Sequence, residues 1–166
     1  MKTLLIVRHA KSSWDHPGID DFDRPLNERG IRNAPEMARR LVLRELLPEL
    51  MISSPAKRAI STAEFFKNQF GIKEVDLKSE AAIYEADRET LMRIISRQNP
   101  DLDCIMLIGH NPGLSDLVNW LCDTDEVLST CAVAEIKVED FKWNGWKRAC
   151  GELVNLDYPK KMIHEQ

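Results

Sequence analysis

Arg8 and His9 stand together at the end of an apolar run, Thr3-Leu4-Leu5-Ile6-Val7, pairing a permanent cation with an imidazole that is largely neutral near pH 7. A second imidazole, His110, follows a second apolar run, Cys104-Ile105-Met106-Leu107-Ile108, inside the segment Gly109-His110-Asn111-Pro112-Gly113. A third short run, Leu50-Met51-Ile52, ends in Ser53-Ser54-Pro55, with Arg58 close behind. Guanidinium forks match phosphoryl oxygens in a bidentate way, and a neutral imidazole offers a nucleophilic nitrogen. These groups suit the binding of an anion, provided the chain brings them together.

The elements that would do so are legible as runs and periods. Short apolar runs whose polarity arrives at the carboxyl end read as buried parallel strands. Ile31, Ala34, Ala38, Leu41, Val42 and Leu46 recur at helical spacing, and Asn27 is a good cap, so a helix is expected over about 28–46. Pro35 should kink that helix or delay its regular part. Ser53-Ser54-Pro55 reads as a helix start, with serine at the cap and proline at the first helical position, and Gly71 as its end. Val75-Asp76-Leu77 and Ala82-Ile83-Tyr84 read as weak extended segments, and Asp87 caps a helix that Asn99-Pro100 stops. A further helix carries Leu114, Leu117, Val118 and Leu121. Ala132 to Val138 alternates with Glu135 and Lys137, predicting a half-exposed strand, and Glu152 to Tyr158 predicts the last strand. Lys160 to Gln166 reads as a loose tail.

Strands alternating with helices predict an α/β fold of three layers, a mostly parallel sheet flanked by helices, with an antiparallel pair near the C-terminus. Ligands of such sheets sit beyond the carboxyl ends of the strands, and all three polar junctions would then share one edge. The helix after Ser54 would add free N–H groups and a positive dipole end.

The chain has 166 residues and a formal net charge of −4, which suits one domain over 1–166 and gives no basic footprint for nucleic acid or a membrane surface. No run approaches the ~20 apolar residues of a membrane span, and no signal peptide is evident, so a cytoplasmic protein is expected. Cys104, Cys122, Cys131 and Cys150 form no C-x-x-C pair and read as buried thiols in a reducing compartment.

Arg8-His9-Ala10, Leu26-Asn27-Glu28-Arg29-Gly30, Ser53-Ser54-Pro55-Ala56-Lys57-Arg58-Ala59 and Gly109-His110-Asn111-Pro112 together resemble the histidine phosphatase superfamily, with its phosphoglycerate mutase-like fold. The small size, Arg8-His9-Ala10-Lys11-Ser12-Ser13-Trp14 and Gly109-His110-Asn111-Pro112-Gly113 look most like the SixA-type phosphohistidine phosphatase branch. The resemblance implies a phosphatase in which His9 takes the phosphoryl group as a phosphohistidine while Arg8, Arg58 and His110 hold its oxygens. It implies no metal and no cofactor, because fixed guanidiniums neutralise the charge. It places a general acid near Glu85, whose other reading is an exposed carboxylate ahead of the Asp87 cap. A leaving imidazole needs less help than an alkoxide, so Glu85→Gln should slow phosphoester hydrolysis more than phosphohistidine hydrolysis. Ser12 is a further candidate phosphate ligand. The implied substrate is a phosphorylated protein, such as a histidine phosphotransfer domain, or a small phosphoester.

Other groups receive plainer readings. Asp15 would orient a neighbour, because a carboxylate repels phosphate. Asp20, Asp21 and Asp23 read as a solvated loop, or as a means of steering toward basic partners. His16 and His164 read as bystanders. Trp14, Trp143 and Trp146 either rim a substrate or pack, and packing is the commoner use. A metal-dependent hydrolase lacks its ligand spacing here, and two arginines would repel its cation. A non-catalytic phosphohistidine reader and a mutase remain as alternatives. A nucleotide kinase lacks its G-x-x-x-x-G-K-[ST] loop.

Overall fold

The computed structural model describes residues 1–71 and 75–161. Six strands form one sheet: β1 (Lys2–Arg8), β2 (Leu50–Ser53), β3 (Asp76–Ser79), β4 (Cys104–Gly109), β5 (Val133–Val138) and β6 (Gly151–Asp157). Their order is β3-β2-β4-β1-β5-β6. The first four in sequence pair in parallel, and β5 pairs antiparallel with both β1 and β6. Arg8 lies opposite Gly109 in the β1–β4 register, and Ser53 lies opposite Ile108. His9, Ser54 and His110 therefore leave neighbouring strands at the same edge.

Side chains of a strand alternate between faces, and β1 shows what that does to a run with no polar residues. Leu4 and Ile6 enter one core with α3 (Arg88–Ser96) and α4 (Gly113–Cys122), while Leu5 and Val7 enter the other with α1 (Glu28–Leu43) and α2 (Lys57–Phe70). All four are fully buried, each contributing about 1.5–3 kcal/mol by leaving water. That burial fixes the strand end from which Arg8 and His9 project. Among the described residues, no helix is long and apolar enough to cross a membrane.

α1 starts where Asn27 predicts, with its side chain accepting from the Gly30 N–H at 2.9 Å. Gly30 is required by close approach, since a Cβ there would lie 2.3 Å from the Lys11 carbonyl oxygen. The helix passes through Pro35 and ends at Leu43, short of the expected 46. Gly71 closes α2 in the left-handed region at φ 64°.

Several local expectations fail for physical reasons. α2 begins at Lys57 with Ala56 as its cap, while the Ser54 hydroxyl accepts from the Ala56 N–H at 3.2 Å just ahead of the helix and also meets His110 Nε2. Ala81–Ile83 is a single 3-10 turn rather than an extended segment, its start held by the Glu80 carboxylate accepting from the Ala82 N–H. β5 is buried on both faces. Glu135 is 4% exposed because Arg44 at the end of α1 pairs with it. Cys150 is exposed rather than buried, and all four cysteines are free. Trp143 is fully buried and Trp146 nearly so, their rings packed 5.3 Å apart. Most of the expected tail, with His164, lies outside the described residues.

Candidate active site

The strand edge carries a cavity of about 280 Å³ lined by Arg8, His9, Ser12, Arg24, Arg58 and His110, among others. His9 is 6% exposed. Its Nδ1 lies 2.7 Å from the Ala10 carbonyl oxygen, which can only accept, so Nδ1 carries the proton. The lone pair is thereby assigned to Nε2, the nitrogen facing the Arg58 Nε–H at 3.4 Å. The Ala10 N–H donates to Thr62 Oγ1, and Thr62 donates to the Arg58 carbonyl, which ties the exit of β1 to the first turns of α2.

His110 packs its ring 5.3 Å from that of His9. Its Nε2 is 2.7 Å from the Ser54 hydroxyl, and its Nδ1 is buried without a partner. Arg8 donates from Nη1 to the Leu128 carbonyl, which also accepts from the Asn111 amide, while its Nε is buried and unpaired. Two of the three buried side-chain polar atoms left unpaired among the described residues thus belong to this cavity. Such atoms are costly unless a ligand meets them.

Electrostatics favour a negative guest. Burial pushes the His9 imidazole down to about 3, with His110, Arg58 and Arg8 adding to the effect against the Ala10 bond. Burial, then Arg58, brings His110 down to about 4. Burial also lowers Arg8, and Arg58 lowers it further. Both imidazoles are neutral at pH 7, and a bound anion would add to the relief that the Asp21 carboxylate gives Arg58 and Arg24.

The sequence reading missed the groups that back the cavity's lining. Asp21 is not a solvated bystander: its backbone carbonyl accepts from Arg58 Nη1 at 2.7 Å and its carboxylate from Nη2 at 3.0 Å. The same carboxylate accepts from Tyr84 Oη at 2.7 Å and from Arg24 Nε at 3.0 Å. The Tyr84 bond, then Arg58 and Arg24, hold Asp21 down at about 2 against a small desolvation cost. Arg24 is buried, reaches the Ser12 hydroxyl at 2.7 Å and stacks on the Trp14 ring at 3.6 Å. Ser12 and Trp14 both line the cavity, so Trp14 belongs to its rim while Trp143 and Trp146 pack. The one cue for Arg24 in the sequence was a lone arginine in an acidic loop.

Glu85 is exposed, takes a left-handed φ of 59° and does not line the cavity. None of the described residues lining the cavity is a carboxylate. Among the described residues no group of three or more His, Cys, Asp or Glu side chains is arranged to hold a metal ion. The arrangement can hold a tetrahedral anion against an imidazole lone pair.

Comparison with known proteins agrees. The profile of the histidine phosphatase superfamily (branch 1) matches residues 4–101. An uncharacterized chloroplastic protein of Arabidopsis thaliana is 32% identical over 88% of this chain and 75% of its own length. An uncharacterized protein of Mycobacterium tuberculosis is 30% identical over 93% of this chain and all of its own. Among solved structures, a protein assigned as the phosphohistidine phosphatase SixA of Agrobacterium tumefaciens superposes with a TM-score of 0.81 at 27% identity, covering 95% of this chain and 99% of that one. A protein histidine phosphatase SixA complexed with tungstate gives 0.80 at 20% identity, over 95% and 97%. With the strand-edge pocket and these likenesses together, the chain belongs to the histidine phosphatase superfamily and is a phosphatase.

Proposed function

We propose that the phosphatase acts on protein phosphohistidine through a covalent intermediate at His9. Nε2 attacks phosphorus, the bond to the leaving nitrogen breaks, and the phosphoryl group rests on His9. Arg8, Arg58 and His110 hold the non-bridging oxygens as charge shifts, and Ser12 and Arg24 border the same space. Water then attacks phosphorus, releasing inorganic phosphate and restoring the imidazole. No metal ion or cofactor takes part in this scheme.

The observation that carries the choice of nucleophile is the tautomer of His9, with Nδ1–H spent on Ala10 and the lone pair of Nε2 beside Arg58. That none of the described lining residues is a carboxylate supports the choice of substrate. An alkoxide leaving group needs a proton from a general acid. A phosphoimidazole protonated on its distal nitrogen departs as neutral imidazole and needs none. Likeness to the Agrobacterium SixA over nearly the full chain points the same way. A histidine phosphotransfer domain is the fitting partner, and a small phosphomonoester would be a slower substrate.

Rapid quenching with a phosphorylated phosphotransfer domain and with an aryl phosphate tests both steps. Acid-labile, base-stable phosphate should appear on His9, and the domain should react faster. Turnover by His9→Ala at the wild-type rate, or faster reaction of the aryl phosphate, would overturn the scheme.

A further inference from the structure

A second hollow, about 540 Å³ and open to solvent, adjoins the phosphate pocket, with Lys11 and Thr130 lining both. Its cations are Lys11, Arg29 and Lys160. They come from three separate parts of the chain: the segment after β1, the first turn of α1 and the segment after β6. Among the described residues no hydrogen bond or ion pair engages the side chain of any of the three. Some cations elsewhere are ion-paired, as Arg39 with Glu36, Arg40 with Asp157 and Arg44 with Glu135, so these three are among those left to solvent. Among the described residues Glu126 is the one carboxylate lining the hollow. Its apolar side is supplied by Val127, 79% exposed, and Tyr158, 39% exposed.

We propose that this hollow is the docking subsite for the acidic protein surface that flanks the phosphohistidine. The inference rests on the phosphohistidine reading above and adds the sign of the partner's charge and the place where it is read. Continuity with the phosphate pocket means that a phosphoryl group held at His9 brings its neighbouring residues over Lys11 and toward Arg29 and Lys160. Cations with no internal partner break no ion pair when recruited, so an approaching carboxylate displaces water at the cost of ordering their side chains. Opposed charge then raises the rate of encounter and sets orientation more than it deepens binding. The apolar side chains at Val127 and Tyr158 would cover aliphatic stems of the partner.

The test uses the full chain and two phosphohistidine peptides of equal length, one flanked by glutamates and one by lysines. Wild type should turn over the glutamate peptide at least tenfold more efficiently in kcat/KM at low salt, and rising ionic strength should erase the gap. Arg29→Glu combined with Lys160→Glu should remove or reverse the preference while leaving aryl phosphate hydrolysis within twofold. Lys11 is left intact because it also lines the phosphate pocket. Equal turnover of the two peptides, or an equal loss on aryl phosphate in the double variant, would overturn the subsite and leave the phosphohistidine reading standing. If neither peptide is cleaved while aryl phosphate is, the phosphohistidine reading itself fails. A variant that loses activity only toward a small phosphoester bearing a second anionic group would assign the hollow to a metabolite and overturn protein docking. Circular dichroism of the double variant, with its unchanged aryl phosphatase rate, guards against misfolding.

Discussion

The pocket has a floor and a wall, and their hydrogen bonding differs. The floor comes from strand ends and the first turn of α2: Arg8, His9, Arg58 and His110. It holds two buried unpaired atoms, Arg8 Nε and His110 Nδ1, although Arg58 is bonded to His9 and Asp21. The wall comes from the loop after β1 and the turn before α3: Arg24 lines the cavity, Asp21 and Tyr84 back it, and these groups bond to one another. Asp21 alone receives Arg58, Arg24 and Tyr84. A ligand therefore gains most from the floor, where unmet polar atoms wait, and little from the wall, where each new contact displaces an old one.

The largest consequence is a gap between two arginines. Arg58→Ala removes a guanidinium placed against His9 Nε2 and should cost about 10³-fold in kcat/KM, the range for losing a charged donor at a transition state. Arg24→Ala removes a side chain whose bonds run to Asp21, Ser12 and the Ser13 carbonyl, and should cost about tenfold. Steady-state kinetics with an aryl phosphate decide it, and equal losses would erase the distinction between floor and wall.

The same division separates what the sequence discloses from what it hides. His9, Arg58 and His110 are legible because buried strands announce themselves as apolar runs, and parallel strands bring their carboxyl ends to one edge by topology alone. Asp21, Arg24 and Tyr84 lie in segments without a period, so nothing in residue spacing says which way they turn. Trp14 was undecidable between rim and core for the same reason. The buried Glu135 fooled the alternation rule because its partner, Arg44, is far away in sequence and close only in the fold. The Ser54 hydroxyl accepts from the Ala56 N–H, as the local pattern suggests, and also serves His110, a tertiary partner that no local signal announces.

Acid should loosen the floor next. The folded values near 3 for His9 and 4 for His110 lie below the ordinary 6.5, so between these limits the unfolded chain binds more protons than the folded one. Stability therefore falls as pH drops below about 6.5 and goes on falling toward about 3. At pH 5 the loss should reach about 2 kcal/mol for each imidazole, taking 1.36 kcal/mol per pKa unit. Asp21, held at about 2, adds nothing until the pH falls below the ordinary carboxylate range and then acts in the same direction. Urea midpoints for wild type and for His9→Asn with His110→Asn, at pH 7.5 and pH 5, measure it. The double variant should lose much less on acidification, and parallel losses would place the acid sensitivity elsewhere.

Releasing the wall's hold on the floor is a smaller effect with an informative sign. The Asp21 carboxylate competes with phosphate for Arg58 Nη2, 3.0 Å away. Asp21→Asn keeps the shape and removes the charge, so inorganic phosphate should inhibit about fivefold more strongly. Tyr84→Phe deletes one bond to Asp21 and leaves the charge, so inhibition should stay near wild type. Weaker phosphate inhibition in Asp21→Asn would mean that the carboxylate holds Arg58 in its binding pose instead of competing for it.

The smallest effect belongs to Glu85. A general acid must come within about 3 Å of the leaving atom, directly or through one water. Glu85 is exposed, stands outside the cavity and follows Tyr84, which itself meets the site through Asp21 and an edge-on contact with the His110 ring at 5.5 Å. Glu85→Gln should change turnover of both aryl phosphate and phosphohistidine by less than twofold. A drop confined to the phosphoester, in parallel with a lost basic limb in its pH profile, would show that the Tyr84 segment swings inward during turnover and delivers a proton. The wall would then be a working part of the reaction, and the contrast with the floor would hold only before substrate arrives.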